Sequence, residues 1–519
     1  MDDSSNILIF NHMNNIFIKQ TEMRTNIFQR FPIFIFALVP FFLMFTDVHG
    51  QDNYRSKSRG IPAYPFPAPV KQPDGSEIVL LAKGDRVLHW WETIDGYTVL
   101  KDSRGNYVYA GLNADLELVP TSYLVSQSKA SVPEGLEKGL RFSSDQVNYK
   151  EKAYFGKNDS KANPSPFPSS GNNRVLVILA EFPDQPATAT PAQIESLLNE
   201  ADYNGTGSFR DYFVGISYGN LVLNASVSQW ITVSHNMSYY GANDIDGYDI
   251  APQELVREAI DQLELSGFDF SQFDNDNDGY VDEIMVFHTG YGEQFIDGGD
   301  TCIWSHAYHL GDLAVSYDGV ILDNYIIGPE LYSNAGSEIT SIGTMVHEFA
   351  HSLAMPDLYD VDFEGTGGYA WDLNFWDLMA AGSWNNEGQT PAGINAWLKE
   401  HMGWMTIPEI SSGGSYSLQN AMDYPEAFRI NTPTLNEFYI LENRQWYGFD
   451  FALPGYGMLV YHVDLNYDGW LHGNVNVDPM HQGLDLVEAD NIRDSLTIDG
   501  DPFPGWDSVT SFTSYTSPA

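Results

Sequence analysis

Ile342-Gly343-Thr344-Met345-Val346-His347-Glu348-Phe349-Ala350-His351-Ser352-Leu353 is the stretch that decides how this chain is read. Its apolar residues Ile342, Met345, Val346, Phe349, Ala350 and Leu353 keep helical spacing, which predicts an amphipathic helix. On that helix His347 and His351 stand at i and i+4, so both imidazoles point from one face. Two such nitrogens can bind a single zinc ion at about 2 Å. Glu348, one position along, can reach a water at the metal rather than the metal itself. A carboxylate there can act as general base on a water that zinc has acidified to a pKa of about 7. The bland alternative is a surface helix with two idle histidines. Pro356 weakens it, because the residue before a proline leaves the helical region and the chain must turn just past His351. The turn brings Asp357, six residues beyond His351, back as a third ligand. Catalytic zinc usually keeps three protein ligands and one open position. Asp360, Asp372, Asp377 and Glu387 are rival third ligands.

Working outward, the chain has 519 residues, a length suited to about three folding units. Hydrophobic residues at 43% and aromatic residues at 14% exclude general disorder. Lys and Arg number 25 against 70 Asp and Glu, a formal net charge of −45. Such a surface repels phosphate, which excludes a nucleic-acid binder and disfavours docking on anionic lipid. It suits divalent cations. The lone Cys302 forbids an intrachain disulfide and reads as a small buried hydrophobe.

The amino terminus has the layout of a secretory leader. Arg24 and Arg30 precede the apolar run Phe31 to Phe45, and Val48-His49-Gly50 follows. The run contains Pro40 and is short for a membrane span of about 20 residues, which argues against a retained anchor. Residues 1–50 are therefore expected to be a signal peptide, with Met23 a plausible true start. The protein is expected to be secreted, without a stable membrane anchor.

Residues 51–70 are Pro-rich and polar. Short apolar runs at Ile78–Leu81, Val87–Trp91, Tyr97–Lys101 and Tyr107–Ala110, with turns at Gly84, Gly96 and Gly105, predict a small β-meander. Residues 155–173, rich in Gly, Pro, Ser and Asn, read as an exposed linker. The continuous apolar run Val175–Ala180 predicts a buried strand opening a new domain. Strand and helix patterns alternate over 171–410, and strands and turns return over 411–519. The chain stops without a closing pattern and is expected to be truncated there.

A second metal site is expected in Asp274-Asn275-Asp276-Asn277-Asp278-Gly279-Tyr280-Val281-Asp282-Glu283. Carboxylates of Asp274, Asp276, Asp278 and Asp282 fall at loop positions 1, 3, 5 and 9, with glycine at 6, the oxygen spacing of a structural calcium loop. Position 12 is Met285, so Glu283 or a distant group must replace the usual glutamate. The alternative is a solvated, Asx-rich turn.

Met379, 28 residues past His351, sits in Phe375-Trp376-Asp377-Leu378-Met379-Ala380-Ala381-Gly382-Ser383-Trp384 and resembles the methionine turn of metzincin-like peptidases. With HEFAHSLAMPDLYD, this segment resembles the immune-inhibitor-A-like family of secreted bacterial metallopeptidases. The likeness extends to Ser208–Phe213, Ser217-Tyr218-Gly219, Ile303–His306, Leu441–Gln445, Tyr461–Asp464 and Leu486–Asp490. It implies an α+β fold. A zincin-like catalytic domain with an active-site helix and mixed sheet would occupy 171–410. A small β-rich propeptide with its linker would precede it over 51–170, and a β-rich region would follow over 411–519. It implies a zinc endopeptidase made as a secreted zymogen, acting on protein or peptide substrates and inhibited by its own propeptide. His347 and His351 carry over as zinc ligands and Glu348 as catalytic base.

One departure is Ala354, where the family pattern has glycine; an alanine held at φ > 0 costs on the order of 1 kcal/mol. Cys302 lies outside residues 51–170, so latency cannot use a propeptide thiol. A carboxylate such as Asp85 or Asp95 could fill the open zinc position instead. Tyr359 and Tyr369 are both candidate oxyanion donors. His306 and His309, and the group His462, Asp464 and His481, read as structural. Two other functions compete. One is a calcium-dependent binding or adhesion protein on an inactive peptidase scaffold, disfavoured by the presence of Glu348. The other is a metal-dependent hydrolase of glycans or esters, disfavoured by the lack of paired carboxylates or a nucleophile elbow.

Overall fold

The computed structural model describes residues 6–11, 16–21, 58–126, 132–155, 165–244, 247–295, 301–333, 336–363 and 368–513. The apolar stretch 31–45, on which the leader reading rests, lies outside them. Among the described residues no helix is long and apolar enough to cross a membrane.

The fold is mixed α+β around a five-stranded sheet. Strands Leu221–Thr232, Gly171–Glu181, Ile284–His288 and Asn324–Pro329 run parallel in that spatial order, and His306–His309 closes one edge antiparallel. Within Gly171–Glu181, Val175–Ala180 is an unbroken apolar run because helices cover both faces of the sheet. Val175, Val177 and Leu179 face one core, shared with the helices Pro191–Asn199, Phe209–Ile216 and Ile342–Ser352. Leu176, Ile178 and Ala180 face the other, where Leu255, Val256, Ala259, Ile260 and Leu263 line one side of the helix Pro252–Leu265.

Before this unit stands a six-stranded antiparallel meander: Ala68–Lys71, Glu77–Gly84, His89–Thr93, Thr98–Lys101, Tyr107–Leu112 and Leu118–Leu124. A helix that sequence patterning did not reveal, Ser144–Phe155, follows it. Residues 165–173 differ from the expected exposed linker. Phe167 is buried, its ring 4.8 Å from that of Phe349, and its amide donates to the Ser352 carbonyl at 2.8 Å. One apolar ring among Pro and Ser was enough to tie this stretch to the core.

The carboxy-terminal strands Phe428–Asn431, Glu437–Arg444, Gly457–Asp464 and Leu484–Leu486 form an antiparallel sheet. It is not a separate body: Phe438, Ile440, Leu459, Tyr461 and Leu484 join the same core as the 342–352 helix. Buried Arg444 reinforces the joint, bonding both oxygens of Asp450 at 2.6 Å, Glu442 at 2.9 Å and the Gly393 carbonyl at 3.1 Å. A further sheet pairs Gly414–Leu418 with the backbone of Asn6–Asn11, which also pairs with Ile16–Thr21.

Candidate metal centre and active-site cleft

The helix Ile342–Ser352 is wholly buried, His347, Glu348 and His351 included. Gly343 permits its close approach to the loop at 381–388, since a Cβ there would lie 2.2 Å from the Ser383 carbonyl oxygen. The chain leaves the helix through Ala354 at φ 62°, the left-handed conformation that glycine would adopt freely. That turn delivers Asp357 to the histidines. Its Oδ1 lies 3.3 Å from Nε2 of both His347 and His351, and these three ligand atoms lie within 4.8 Å of one another.

The chemistry of this group fits a zinc ion. The Nδ1 atoms are engaged on the far side, His347 with the Leu378 carbonyl at 2.9 Å and His351 with the Met355 carbonyl at 2.8 Å. Each Nε2 therefore presents its lone pair inward. Both Nε2 atoms and Asp357 Oδ1 are buried without a hydrogen-bond partner. Burial alone would raise the Asp357 pKa, yet His351 and His347 hold it well below the ordinary carboxylate range. Burial pushes Glu348 up to about 7, against the opposing pull of His347.

The rival carboxylates are committed elsewhere. Asp377 accepts from the Met379 amide at 2.9 Å and the Asn395 amide at 2.7 Å, shaping the turn that offers Leu378 to His347. Asp360 accepts from the amides of Phe363 and Ala370, Asp372 accepts from Asn374, and Glu387 is exposed. Met379 is buried, and its carbonyl accepts from the Leu358 amide at 2.8 Å.

A segment of the Pro-rich stretch, Ser58–Tyr64, runs through the cleft. Sequence reasoning read that stretch only as polar; the signal it held was Ile61, which is fully buried. The Ile61 amide donates to Glu348 Oε1 at 2.7 Å, and the Tyr359 hydroxyl donates to the Gly60 carbonyl at 3.0 Å. Gly60, at φ 79°, lets the segment approach: a Cβ there would lie 2.4 Å from the Ser305 carbonyl oxygen. Downstream, Trp304 Nε1 donates to the Ile61 carbonyl at 2.9 Å and Trp384 Nε1 to the Pro62 carbonyl at 3.0 Å. The Tyr64 amide donates to the Gln294 carbonyl at 3.0 Å. Beside this segment the cleft opens into a cavity of about 520 Å³ between Trp90 of the meander and Tyr359, Trp371 and Phe375.

Neither carboxylate suggested for the open metal position takes it. Asp85 is buried, but its Oδ1 accepts from the Val87 and Leu88 amides at 2.7 and 2.8 Å, while Oδ2 faces Tyr359 and Arg59. Asp95 is exposed in its turn. Backbone, not a side chain, fills the cleft. Of the two tyrosines, Tyr369 is 42% exposed and bonds Asp372, leaving Tyr359 at the site.

In the acidic loop, Asp274, Asp276 and Asp278 each bring a carboxylate oxygen within 4.8 Å of the others. Asp282 does not join them. It is buried, and its Oδ2 accepts from the amide and side chain of Asn275 at 2.7 Å, so it braces the loop from behind. His306 bonds the Trp304 carbonyl and Tyr325, and His309 stacks on Tyr308. His462 pairs with Glu437, His481 with Asp464, and Cys302 is buried.

A buried helix with two inward histidines, a carboxylate returned by a turn and a peptide-lined cleft together fit a metal ion set beside a peptide backbone. Residues 195–405 match the family model of the immune inhibitor A peptidase M6 catalytic domain. Immune inhibitor A of Bacillus thuringiensis subsp. alesti is 29% identical over 233 residues, covering 39% of this chain and 34% of that protein. The pre-pro-metalloprotease PrtV of Vibrio cholerae serotype O1 is 29% identical over 276 residues, covering 44% of this chain and 29% of that protein. The alignments thus span about a third of the length of these curated relatives.

Proposed function

We propose that the protein is a secreted zinc endopeptidase, made as a zymogen, that hydrolyses internal peptide bonds of extracellular proteins. The observation that carries this reading is the polarity of the Gly60–Ile61 peptide against the site: its carbonyl meets a phenol donor and its N–H meets Glu348. His347, His351 and Asp357 would hold the ion. Zinc, when bound, supplies Lewis acidity towards the scissile carbonyl and the attacking water.

Glu348, buried and with its pKa pushed up to about 7, takes the proton of the attacking water and passes it to the leaving amine. The Ile61 N–H at 2.7 Å supports that role, since a substrate's leaving nitrogen would lie there. Tyr359 donates to the carbonyl oxygen as negative charge develops; burial raises its pKa and keeps it a neutral donor. Leu378 and Met355 fix the imidazole orientations through their carbonyls.

Latency follows from occupancy. Ser58–Tyr64 fills the cleft, and the buried Arg59, paired with Asp85 and Glu151, clamps it to the amino-terminal unit. Residues 51–170 would then be the propeptide. The leader layout of residues 1–50 supports secretion. Asp274, Asp276 and Asp278 would hold a structural calcium ion.

The test is casein hydrolysis by the full chain, before and after limited proteolysis, with and without a zinc chelator and beside Glu348→Ala. Hydrolysis that appears on processing and is lost both to the chelator and in the variant is the expected result. A folded, zinc-loaded, processed chain that leaves casein intact would overturn the proposal.

A further inference from the structure

Beyond the reacting bond, the segment in the cleft carries one more side chain into the catalytic unit. Tyr64, fourth after the Gly60–Ile61 bond, inserts among three rings, with centroids 5.7 Å from Phe295, 6.2 Å from Tyr332 and 5.3 Å from Trp384. The three rings also pack on one another, Phe295 lying 5.2 Å from Tyr332 and 5.4 Å from Trp384. Tyr64 meets Tyr332 and Trp384 edge to face, the arrangement aromatic quadrupoles favour.

We propose that the Phe295–Tyr332–Trp384 pocket is a substrate subsite that selects an aromatic side chain at the fourth position after the cleaved bond. This rests on the peptidase reading above and names the substrate class it would prefer. Three observations carry it. The pocket comes entirely from the catalytic unit, from three separate stretches of it, so it persists when the amino-terminal segment leaves. The bonds that tie Ile61–Tyr64 to the catalytic unit engage its backbone atoms, from Trp304, Trp384 and to Gln294, and take no account of its side chains. A peptide with glycine before the cleaved bond that takes this register would therefore deliver its fourth side chain to the same place, and discrimination falls to the rings. Finally, Phe295, Tyr332 and Trp384 are each at most 9% exposed with Tyr64 in place. Withdrawing it uncovers a contiguous aromatic surface that an incoming ring would re-cover.

The experiment uses the full chain after processing and quenched-fluorescence peptides that copy Ser58–Phe66, with Tyr, Phe, Ala or Lys in the Tyr64 position. Tyr and Phe peptides are expected to show kcat/KM about tenfold above the Ala peptide, the difference lying in KM. That ratio should shrink to about twofold in Trp384→Ala and in Tyr332→Ala. A second readout needs no turnover. In the unprocessed, metal-free chain, Tyr64→Ala should speed amide exchange across 58–66 at least about tenfold, whereas Tyr64→Phe should leave it unchanged. Equal kcat/KM for all four peptides, or an aromatic preference that survives both pocket variants, overturns the subsite alone. Cleavage of none of the peptides by processed chain overturns the peptidase reading and the subsite with it.

Discussion

Asp357 and Asp276 both bring a carboxylate beside two other ligand atoms, and they are built in opposite ways. Asp357 is 5% exposed and its Oδ1 has no hydrogen-bond partner. Its neighbours' orientations are fixed from behind by the Leu378 and Met355 carbonyls. Around Asp276 the loop is open to solvent, and its carboxylates are satisfied by the loop itself. The Asp278 amide donates to Asp274 and Asp276 at 3.0 Å, and the Gly279 amide to Asp274 at 3.1 Å. An ion entering the first group meets free lone pairs in a dry setting, whereas one entering the second must compete with water and with backbone amides. The first arrangement suits chemistry and the second suits bracing, and substitutions should separate them.

The largest expected effect is at the buried group. Glu348→Gln should lower kcat/KM by about 10³-fold while zinc content stays stoichiometric. His347→Ala should lose zinc and activity together. Zinc retained by His347→Ala would break the contrast between a ligand and a base.

Next comes selective metal removal. A calcium-selective chelator should leave zinc bound and turnover initially intact, yet lower the melting temperature. A site held at about a hundred times its Kd contributes about 2.7 kcal/mol. Asp276→Asn should reproduce that loss, and an unchanged melting temperature in both cases would remove the loop from the comparison.

A third set of carboxylates sharpens it, because Glu488 and Asp501 are buried like Asp357 but lack histidine partners. Burial pushes Glu488 to about 7 against the pull of Arg493, and Asp501 to about 8 against its bond from Trp376. Both are raised above their ordinary values of 4.5 and 3.8, so the folded state holds protons that the unfolded state releases. Their contribution is greatest below about pH 4 and is lost as pH climbs towards 8. Asp501→Asn keeps an acceptor for Trp376 and should flatten the decline in melting temperature between pH 5 and 8, as differential scanning calorimetry would show. An unaltered slope would mean that Asp501 stays ionised.

The smallest effect is expected at the exit from the helix. Ala354→Gly should stabilise the fold by about 1 kcal/mol, since alanine is held at φ 62°. A destabilised variant would show that the methyl group's packing outweighs the strain.

Much of the site was legible in the text. His347 and His351 could be placed on one face because an apolar pattern at helical spacing surrounds them, and Pro356 marked the turn. The third carboxylate was not decided, because Asp360, Asp372 and Asp377 share its chemistry. Which of them faces the histidines depends on the amides of residues 363, 370, 374 and 395, which are remote from the helix in sequence. The spacing that suggested Asp282 as a loop ligand failed for a similar reason: Asn275 turns back and takes its carboxylate. In the linker, Phe167 outweighed eight neighbours of loop-forming type, an override that composition averages hide.

By itself, the sequence determined what is local and periodic: the helix bearing His347, Glu348 and His351, the buried run Val175–Ala180, and the acidic loop. These follow from side-chain spacing along one element, which covalent geometry fixes. Only the tertiary structure decided that Asp357 completes the group, that Tyr359 rather than Tyr369 attends the carbonyl, and that Gly60–Ile61 lies across the site. The last two are contacts between segments nearly 300 residues apart, as between Ile61 and Glu348, and no pattern within either segment records them. They arise when burial forces each polar group to find a partner, and the folded chain decides which partner is within reach.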